Sequence, residues 1–183
     1  MQRITLFLLL FFQFSFSQNI LELKNQLINF IWIDDDFPNS KLPDNIQKAL
    51  GLESKFFFAT GVSIVMHTVN PNVPIIHMNV RYFETRKSKD SSEIEDAWFG
   101  GGIDLTPHYV IDEDAKWFHE QLKAACDQHN LDYYPKHKKW ADDYFYLSHR
   151  KESRGVGGIF FDQMSENEKM TKEQILEFCL GLG

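Results

Sequence analysis

Two strand-like runs joined by a turn constrain the fold of this chain more than any other feature. Residues 56–69 and 73–86 are rich in aromatic and β-branched side chains, and the Asn-Pro-Asn sequence at 70–72 supplies turn chemistry between them. Runs of this kind around a short turn predict an antiparallel β-hairpin. A hairpin needs further sheet and a covering layer to be stable, so the rest of the chain is expected to supply both.

The predicted hairpin gathers polar side chains on one of its faces, because side chains alternate between the two faces of a strand. Pairing about Asn72 places His67 opposite His77 and Ser63 opposite Arg81, and a one-residue slip would break this match. The face then carries Ser63, His67, His77, Asn79 and Arg81. A solvated outer face with histidines by chance is the alternative, but such faces usually carry Lys, Glu and Thr. The residue types found here bind anions or transfer protons.

The remaining patterns predict an α+β fold with an antiparallel sheet flanked by helices. Further strands are expected from Trp98 onward and over residues 159–161. Thr171 and Gln174 form a capping-box pattern that opens a last helix. The other predicted helices cover residues 19–33, 43–52, 112–130 and 136–150.

Two glycine-rich segments accompany further candidate site residues. Gly100, Gly101 and Gly102 precede Asp104, and such a run permits either close approach to a flat ligand or a bulged strand. Asp104 could accept a proton or bind a cationic N–H group. The second segment, residues 150–158, carries Arg150 and Arg154 and could form a carboxylate clamp.

Histidines from separate predicted elements raise the question of a metal. His119 falls on the apolar face of its predicted helix, where the alternative is a core histidine bonded to a backbone carbonyl. His149 ends the next predicted helix. Together with His67 and His77 they could bind a divalent cation, although their spacing does not establish a site.

Composition argues against a nucleic-acid partner and indicates the state of the cysteines and the nature of the N-terminal segment. The formal net charge of −7 argues against nucleic acid, which requires a basic surface. Cys126 and Cys179 fit neither a CxxC site nor a disulfide framework and are expected as buried free thiols. Residues 1–17 read as a secretory signal peptide, and their apolar run is too short for a stable membrane span of about 20 residues.

Long ordered motifs identify a family that the chain resembles. They include Gly61-Val-Ser-Ile-Val-Met-His67, Ile76-His-Met-Asn-Val-Arg-Tyr-Phe-Glu84, residues 98–107, and residues 154–162, which read Arg-Gly-Val-Gly-Gly-Ile-Phe-Phe-Asp. These motifs resemble oxygen-dependent coproporphyrinogen III oxidase, from about Leu42 to the end of the sequence. The resemblance divides the chain into a leader (1–17), an N-terminal helix and linker (18–41) and a partial oxidase domain (42–183).

The resemblance implies an activity and a set of partners. The family converts two propionates of coproporphyrinogen III to vinyl groups, which gives protoporphyrinogen IX on the path to haem. It uses molecular oxygen without an organic cofactor, as a cytoplasmic homodimer built on a large antiparallel sheet. A cytoplasmic location conflicts with the signal-like leader.

The resemblance also implies roles for individual residues. It assigns substrate contacts to Ser63, Asn79, Val80 and Arg81, and proton donation to His77. It assigns to Asp104 the role of holding or deprotonating the pyrrole N–H groups. Some family descriptions place a divalent metal on the matches of His67, His77, His119 and His149.

The chain departs from the family pattern at both ends. A glycine-rich segment with its strand at the start, and an Arg-rich segment with a substrate and dimerisation loop at the end, have no match in this sequence. The chain is therefore expected to be a partial, incomplete form of the domain. A non-catalytic porphyrin-binding remnant and a histidine–metal oxygenase are the alternative functions.

Overall fold

The computed structural model describes residues 27–33, 40–41, 44, 47–48, 51, 56–88 and 92–183. The strands of its central sheet are β1 (Leu27–Ile33), β2 (Ser40–Lys41), β3 (Phe56–Thr68), β4 (Ile75–Arg86), β5 (Asp96–Thr106) and β8 (Gly158–Met164). The sheet is antiparallel in the order β1-β3-β4-β5-β8, with the short strand β2 paired to one end of β3. The signal-like leader, residues 18–26 and the linker residues 34–39 lie outside the described residues.

The predicted hairpin is formed by β3 and β4, but its register differs from the prediction. Ser63 pairs with Asn79, and Val65 pairs with His77. Each residue of β3 therefore faces a residue of β4 two positions earlier than expected. A shift of two positions preserves the face on which every side chain lies, because the side-chain period of a strand is two.

Three helices and a small hairpin follow β5 in the chain, and residues 44, 47 and 48, within the helix predicted over 43–52, are helical as well. The helices are α1 (Asp112–Asp127), α2 (Tyr133–Tyr144) and α3 (Lys172–Gly181), and β6 (Tyr146–Leu147) pairs with β7 (Glu152–Ser153). The helices pack their apolar residues against one face of the large sheet, around Phe161 and Phe178, which are fully buried. The opposite face of the sheet carries His77, Asn79 and Arg81 of β4. None of the described helices is long and apolar enough to span a bilayer.

The prediction of a helix over residues 19–33 is wrong for residues 27–33, which form β1. This strand pairs with β3 from Leu27 opposite Thr68 to Ile33 opposite Val62. Its sequence, Leu-Ile-Asn-Phe-Ile-Trp-Ile, is aromatic and β-branched. A continuous apolar run of this length satisfies the spacing of a helix and of a buried strand equally, and pairing with β3 decides in favour of the strand.

The second long helix was also predicted too far along the chain. It covers Tyr133–Tyr144 rather than 136–150, and the Phe145 N–H donates to the Ala141 carbonyl at its end. The backbone N–H of Arg154 then donates to the Phe145 carbonyl, which closes the loop that contains β6 and β7. His149 consequently lies in the exposed turn between these strands, not at a helix C-terminus.

The last helix begins as predicted. The Thr171 side chain accepts from the Gln174 N–H, and the Gln174 side chain accepts from the Thr171 N–H, which completes the capping box. Lys172 ties this helix to the sheet, because its Nζ donates to the Tyr82 hydroxyl at 2.7 Å. Cys126 and Cys179 are buried free thiols, as predicted. Burial raises the pKa of both thiols to about 12, so neither carries a reactive thiolate near neutral pH.

His137 on α2 lies in the core among Tyr133, Phe161 and Phe178, and neither of its ring nitrogens has a hydrogen-bond partner within the described structure. Burial, with a smaller contribution from Lys136, lowers the pKa of His137 to about 4. The unfolded chain therefore binds a proton here, near pH 6.5, before the folded chain does. We expect this histidine to cost the fold on the order of 3 kcal/mol as the pH falls from 6.5 to 4.

Urea unfolding of the wild type and His137→Leu between pH 7 and pH 4 measures this effect. The leucine variant removes two unpartnered buried polar atoms, so its stability should be equal or greater at pH 7 and should fall less steeply with acid. His108→Gln changes an exposed histidine and should follow the wild type. Parallel pH dependences for wild type and His137→Leu would show that the pKa of His137 does not differ between the folded and unfolded chains.

Candidate functional site

The side of the large sheet opposite the three described helices brings the predicted site residues into adjacent rows. Ser63 lies opposite Asn79, and His77 lies opposite Asp104 of β5. We call this surface the polar face and define it by Ser63, His77, Asn79, Arg81 and Asp104. Directly paired residues of an antiparallel sheet point to the same side, so all five side chains share one surface.

Asp104 is the centre of the polar face and is almost completely buried. Its Oδ1 accepts from Arg154 Nη2 at 2.8 Å, and its Oδ2 lies 3.2 Å from His77 Nδ1. His77 Nδ1 is also buried, and it makes no hydrogen bond to any described residue at its present ring orientation. The Arg154 guanidinium in turn stacks on the Phe145 ring, 4.2 Å from its centroid. Asp104 thus connects a cation that is always charged to a histidine that can carry a proton.

The Arg81 guanidinium contacts one protein side chain through each of its two terminal nitrogens. Nη1 donates to Asn79 Oδ1 at 2.9 Å, and Nη2 lies 3.0 Å from Asp162 Oδ2. The Arg81 side chain is 40% exposed. The remaining N–H groups can therefore reach a ligand on the open side of the sheet.

The three glycines of β5 make room for protein side chains rather than for a ligand alone. A Cβ on Gly100 would lie 2.9 Å from Arg81 Nε and would overlap Asp162 Oδ1, and a Cβ on Gly101 would lie 2.8 Å from the Phe161 ring. The pairing with β8 also shifts between Phe99 and Gly101, but the extra residue of this bulge lies on β8. The glycines themselves pair regularly with β4, so the glycine run is not a bulge of β5. The glycines allow Arg81 and Asp162 to meet across β5.

Aromatic side chains flank the polar face on two sides, and the sequence analysis did not single them out. Phe83 follows Arg81 on the same face of β4 and lies between two other rings. Its ring centroid is 5.2 Å from that of Phe57 and 4.6 Å from that of Trp98. On the β8 side, Phe160 stacks on Tyr144 with ring centroids 4.3 Å apart. Strand parity could have placed Phe83 beside Arg81. The contact of Phe160 with Tyr144 depends on where α2 lies.

Val80 does not belong to the polar face. Its side chain points to the opposite side of β4 and packs against the hydrophobic core. A substrate contact at this position, as the resemblance implied, would have to come from the Val80 backbone.

The histidines proposed for a metal are not brought together. His119 has both ring nitrogens engaged, Nε2 at 2.9 Å from the Val156 carbonyl and Nδ1 at 3.1 Å from the Tyr134 hydroxyl. This is the core-histidine alternative. His149 lies in the β6–β7 turn and His67 is exposed near the end of β3. In the described part of the chain, no three His, Cys, Asp or Glu side chains are placed to hold a metal ion, so the site does not fit the proposed cation.

The two arginines considered for a carboxylate clamp have different environments. Arg154 pairs with Asp104, as described above. Arg150 Nε donates to Glu152 Oε1 at 2.7 Å across the exposed β6–β7 hairpin. The structure therefore connects Arg154 to the site and places Arg150 outside it.

Comparison with known proteins identifies a family for the chain. The family model described as Coproporphyrinogen III oxidase matches residues 23–183. The chain belongs to the coproporphyrinogen III oxidase family. The match begins before residue 42, so it also covers β1, which the sequence motifs had placed outside the family domain.

Curated relatives from animals and plants share about half of the matched residues. The chain is 51% identical over 123 residues to the oxygen-dependent coproporphyrinogen-III oxidase of Drosophila melanogaster, a stretch covering 67% of this chain and 31% of the relative. It is 52% identical over 122 residues to the mitochondrial human protein, covering 67% and 26%. Coproporphyrinogen-III oxidase 1 of Arabidopsis thaliana, a chloroplastic protein, is 50% identical over 124 residues, covering 67% and 31%. The matched segment thus spans between a quarter and a third of the relatives' length.

The names of these relatives correct one expectation. Family members are named for mitochondria and for chloroplasts. Resemblance to the family therefore does not by itself imply a cytoplasmic protein.

Proposed function

We propose that this chain takes part in the oxygen-dependent oxidative decarboxylation of coproporphyrinogen III to protoporphyrinogen IX. The family match supports the proposal, and one structural observation carries it to particular residues: Asp104 is buried between His77 and Arg154 on an open face that also presents Arg81. The proposed substrate combines carboxylates with pyrrole N–H groups. The face offers a partner for each of these groups.

Arg81 is the proposed partner of a substrate propionate. A guanidinium binds a carboxylate through parallel N–H donors, and the Arg81 guanidinium is partly exposed and oriented by Asn79. Ser63, directly opposite Asn79 on β3, adds a hydroxyl that can donate to the same carboxylate. The flanking rings, Phe83 on one side and Phe160 on the other, can pack against the pyrrole rings of the substrate.

Asp104 and His77 are the proposed proton-handling pair. Asp104 Oδ2, which lies beside His77, is the proposed acceptor of a pyrrole N–H, while Arg154 holds the carboxylate in place through Oδ1. Each conversion of a propionate to a vinyl group removes carbon dioxide and passes two electrons to molecular oxygen. We assign His77 to proton donation and Asp104 to holding or removing the pyrrole proton, because the two groups are adjacent and can exchange a proton.

The direct test is turnover by the protein expressed from its complete reading frame. Coproporphyrinogen III and oxygen should be consumed together, and the vinyl product should form under air but not under nitrogen. Binding of the tetrapyrrole without oxygen consumption or vinyl product would favour the non-catalytic porphyrin-binding alternative. Activity that disappears with chelation and returns with added metal would favour a metal oxygenase.

Assembly and compartment are also proposals. We propose a homodimer, as the family resemblance implies, and the mass of the full-length protein in solution tests it. The two buried free thiols, Cys126 and Cys179, support a compartment that keeps thiols reduced, such as the cytosol or an organelle interior. Export of a protein cleaved after residue 17 would contradict this.

A further inference from the structure

Two arginines reach the polar face, and each is paired with a carboxylate of the protein itself. Arg154 is paired with Asp104, and Arg81 is paired with Asp162. An anionic substrate therefore meets two cations that are already neutralised. Whether either cation can bind a new carboxylate depends on whether its present partner can leave.

The Asp104–Arg154 pair is held in place. The Asp104 side chain is only 4% exposed and also contacts His77. Moving Asp104 away from Arg154 would leave a buried charge without a partner, which is a costly change. Asp104 is therefore a permanent partner of Arg154.

The Arg81–Asp162 pair is open to exchange. The two side chains are 40% and 33% exposed, and ion pairs at such exposure contribute little net stability. Asp162 lies at the β8 bulge, directly before Gln163, whose φ of 51° is in the left-handed region. Its carboxylate reaches Arg81 across Gly100, and Oδ1 also accepts from the Gln163 N–H at 3.0 Å. Water can replace Arg81 as a partner of Asp162 without burying any charge.

We propose that Asp162 occupies the carboxylate position of Arg81 in the ligand-free protein, and that a substrate carboxylate displaces it on binding. This inference rests on the proposed function and adds a residue to it. Asp162 sets how strongly the face attracts carboxylates, because a ligand has to compete with an internal carboxylate for the same guanidinium. Weakly charged ligands are disfavoured, whereas a tetracarboxylate competes effectively.

The test is the affinity for coproporphyrin III, the fluorescent oxidised form of the proposed substrate, which keeps its carboxylates. Asp162→Asn preserves the shape and the acceptor for the Gln163 N–H while it removes the competing charge. It should bind about two- to five-fold more tightly than wild type, the range expected for loss of an exposed ion pair. The gain should shrink at high salt, because exposed charges are screened.

A double-mutant cycle with Arg81→Ala separates exchange from a general charge effect. If Asp162 acts through Arg81, Asp162→Asn should give no gain in the Arg81→Ala background. Asp143→Asn is the matched control, because it removes the same charge from an exposed ion pair on α2. It should leave the affinity unchanged.

The outcomes separate this inference from the proposed function. Equal or weaker binding by Asp162→Asn, or a gain that persists without Arg81, overturns the exchange and leaves the substrate site standing if Arg81→Ala still weakens binding. Wild-type affinity in Arg81→Ala overturns both the exchange and the substrate contact. If neither the wild type nor any variant binds coproporphyrin III, both the exchange and the substrate contact are likewise overturned.

Discussion

Replacing Asp104 by asparagine is expected to lower kcat by about 100-fold or more, with a much smaller change in KM for coproporphyrinogen III. Asparagine keeps the size of the side chain and one acceptor oxygen, so the pyrrole N–H groups can still be bound. It cannot take up a proton under these conditions, and it removes the charge that faces His77. An interaction used mainly in the reaction step lowers kcat when it is lost.

Initial rates of oxygen consumption and vinyl product formation measure this effect in the protein expressed from its complete reading frame. Asp96→Asn is the matched control, because Asp96 is an exposed residue at the other end of the same strand. It should retain wild-type rates. Turnover close to wild type in Asp104→Asn would remove Asp104 from the proton chemistry and leave His77 as the acid–base residue.

The Asp104 variant also loses an ion pair, and its stability should be measured alongside its activity. Arg154 keeps its contact with the Phe145 ring and is 42% exposed, so its charge can be solvated when the carboxylate is gone. We therefore expect a folded variant with a modest loss of stability. A large kinetic effect in a folded protein would then report on chemistry, not on unfolding.

The polar face was predictable because strand parity tolerates an error in register. The expected pairing about Asn72 was displaced by two positions, yet Ser63, Asn79 and Arg81 still share one face. Alternation along a strand is a local property of the chain, whereas register depends on the geometry of the turn. The residues of the site were therefore easier to predict than their partners.

The errors arose where a local pattern fits two structures or where distant elements meet. The apolar run at 27–33 suits a helix as well as a strand, and its pairing with β3 lies about 35 positions away in sequence. His149 was assigned to a helix that ends at Tyr144, because nothing local marks the loop that the Arg154–Phe145 backbone hydrogen bond closes.

The partners of the charged groups could not be derived from the sequence at all. Arg154 is 50 residues from Asp104, and Asp162 meets Arg81 only because Gly100 has no side chain between them. Such pairs depend on which strands are neighbours and on the exact position of a bulge. A glycine run read alone is consistent with ligand approach, and only the positions of the surrounding side chains show what fills the space.

Replacing Arg81 by lysine should raise KM for coproporphyrinogen III by about ten-fold or more and lower kcat less. Lysine retains the positive charge but offers a single compact ammonium instead of a planar fork. It cannot hold Asn79 and a carboxylate at the same time in the geometry that Arg81 uses. The loss is thus expected mainly in binding, which a full kinetic analysis with saturating oxygen separates from the reaction step.

The control for this variant is Arg150→Lys, which makes the same substitution in the exposed ion pair with Glu152, outside the polar face. Its kinetics should match those of the wild type. Asp104→Asn should mainly lower kcat, whereas Arg81→Lys should mainly raise KM, so the two variants distinguish the reaction step from binding. If Arg81→Lys lowered kcat alone and left KM unchanged, Arg81 would act on the reacting groups, and its assignment to a propionate would be wrong.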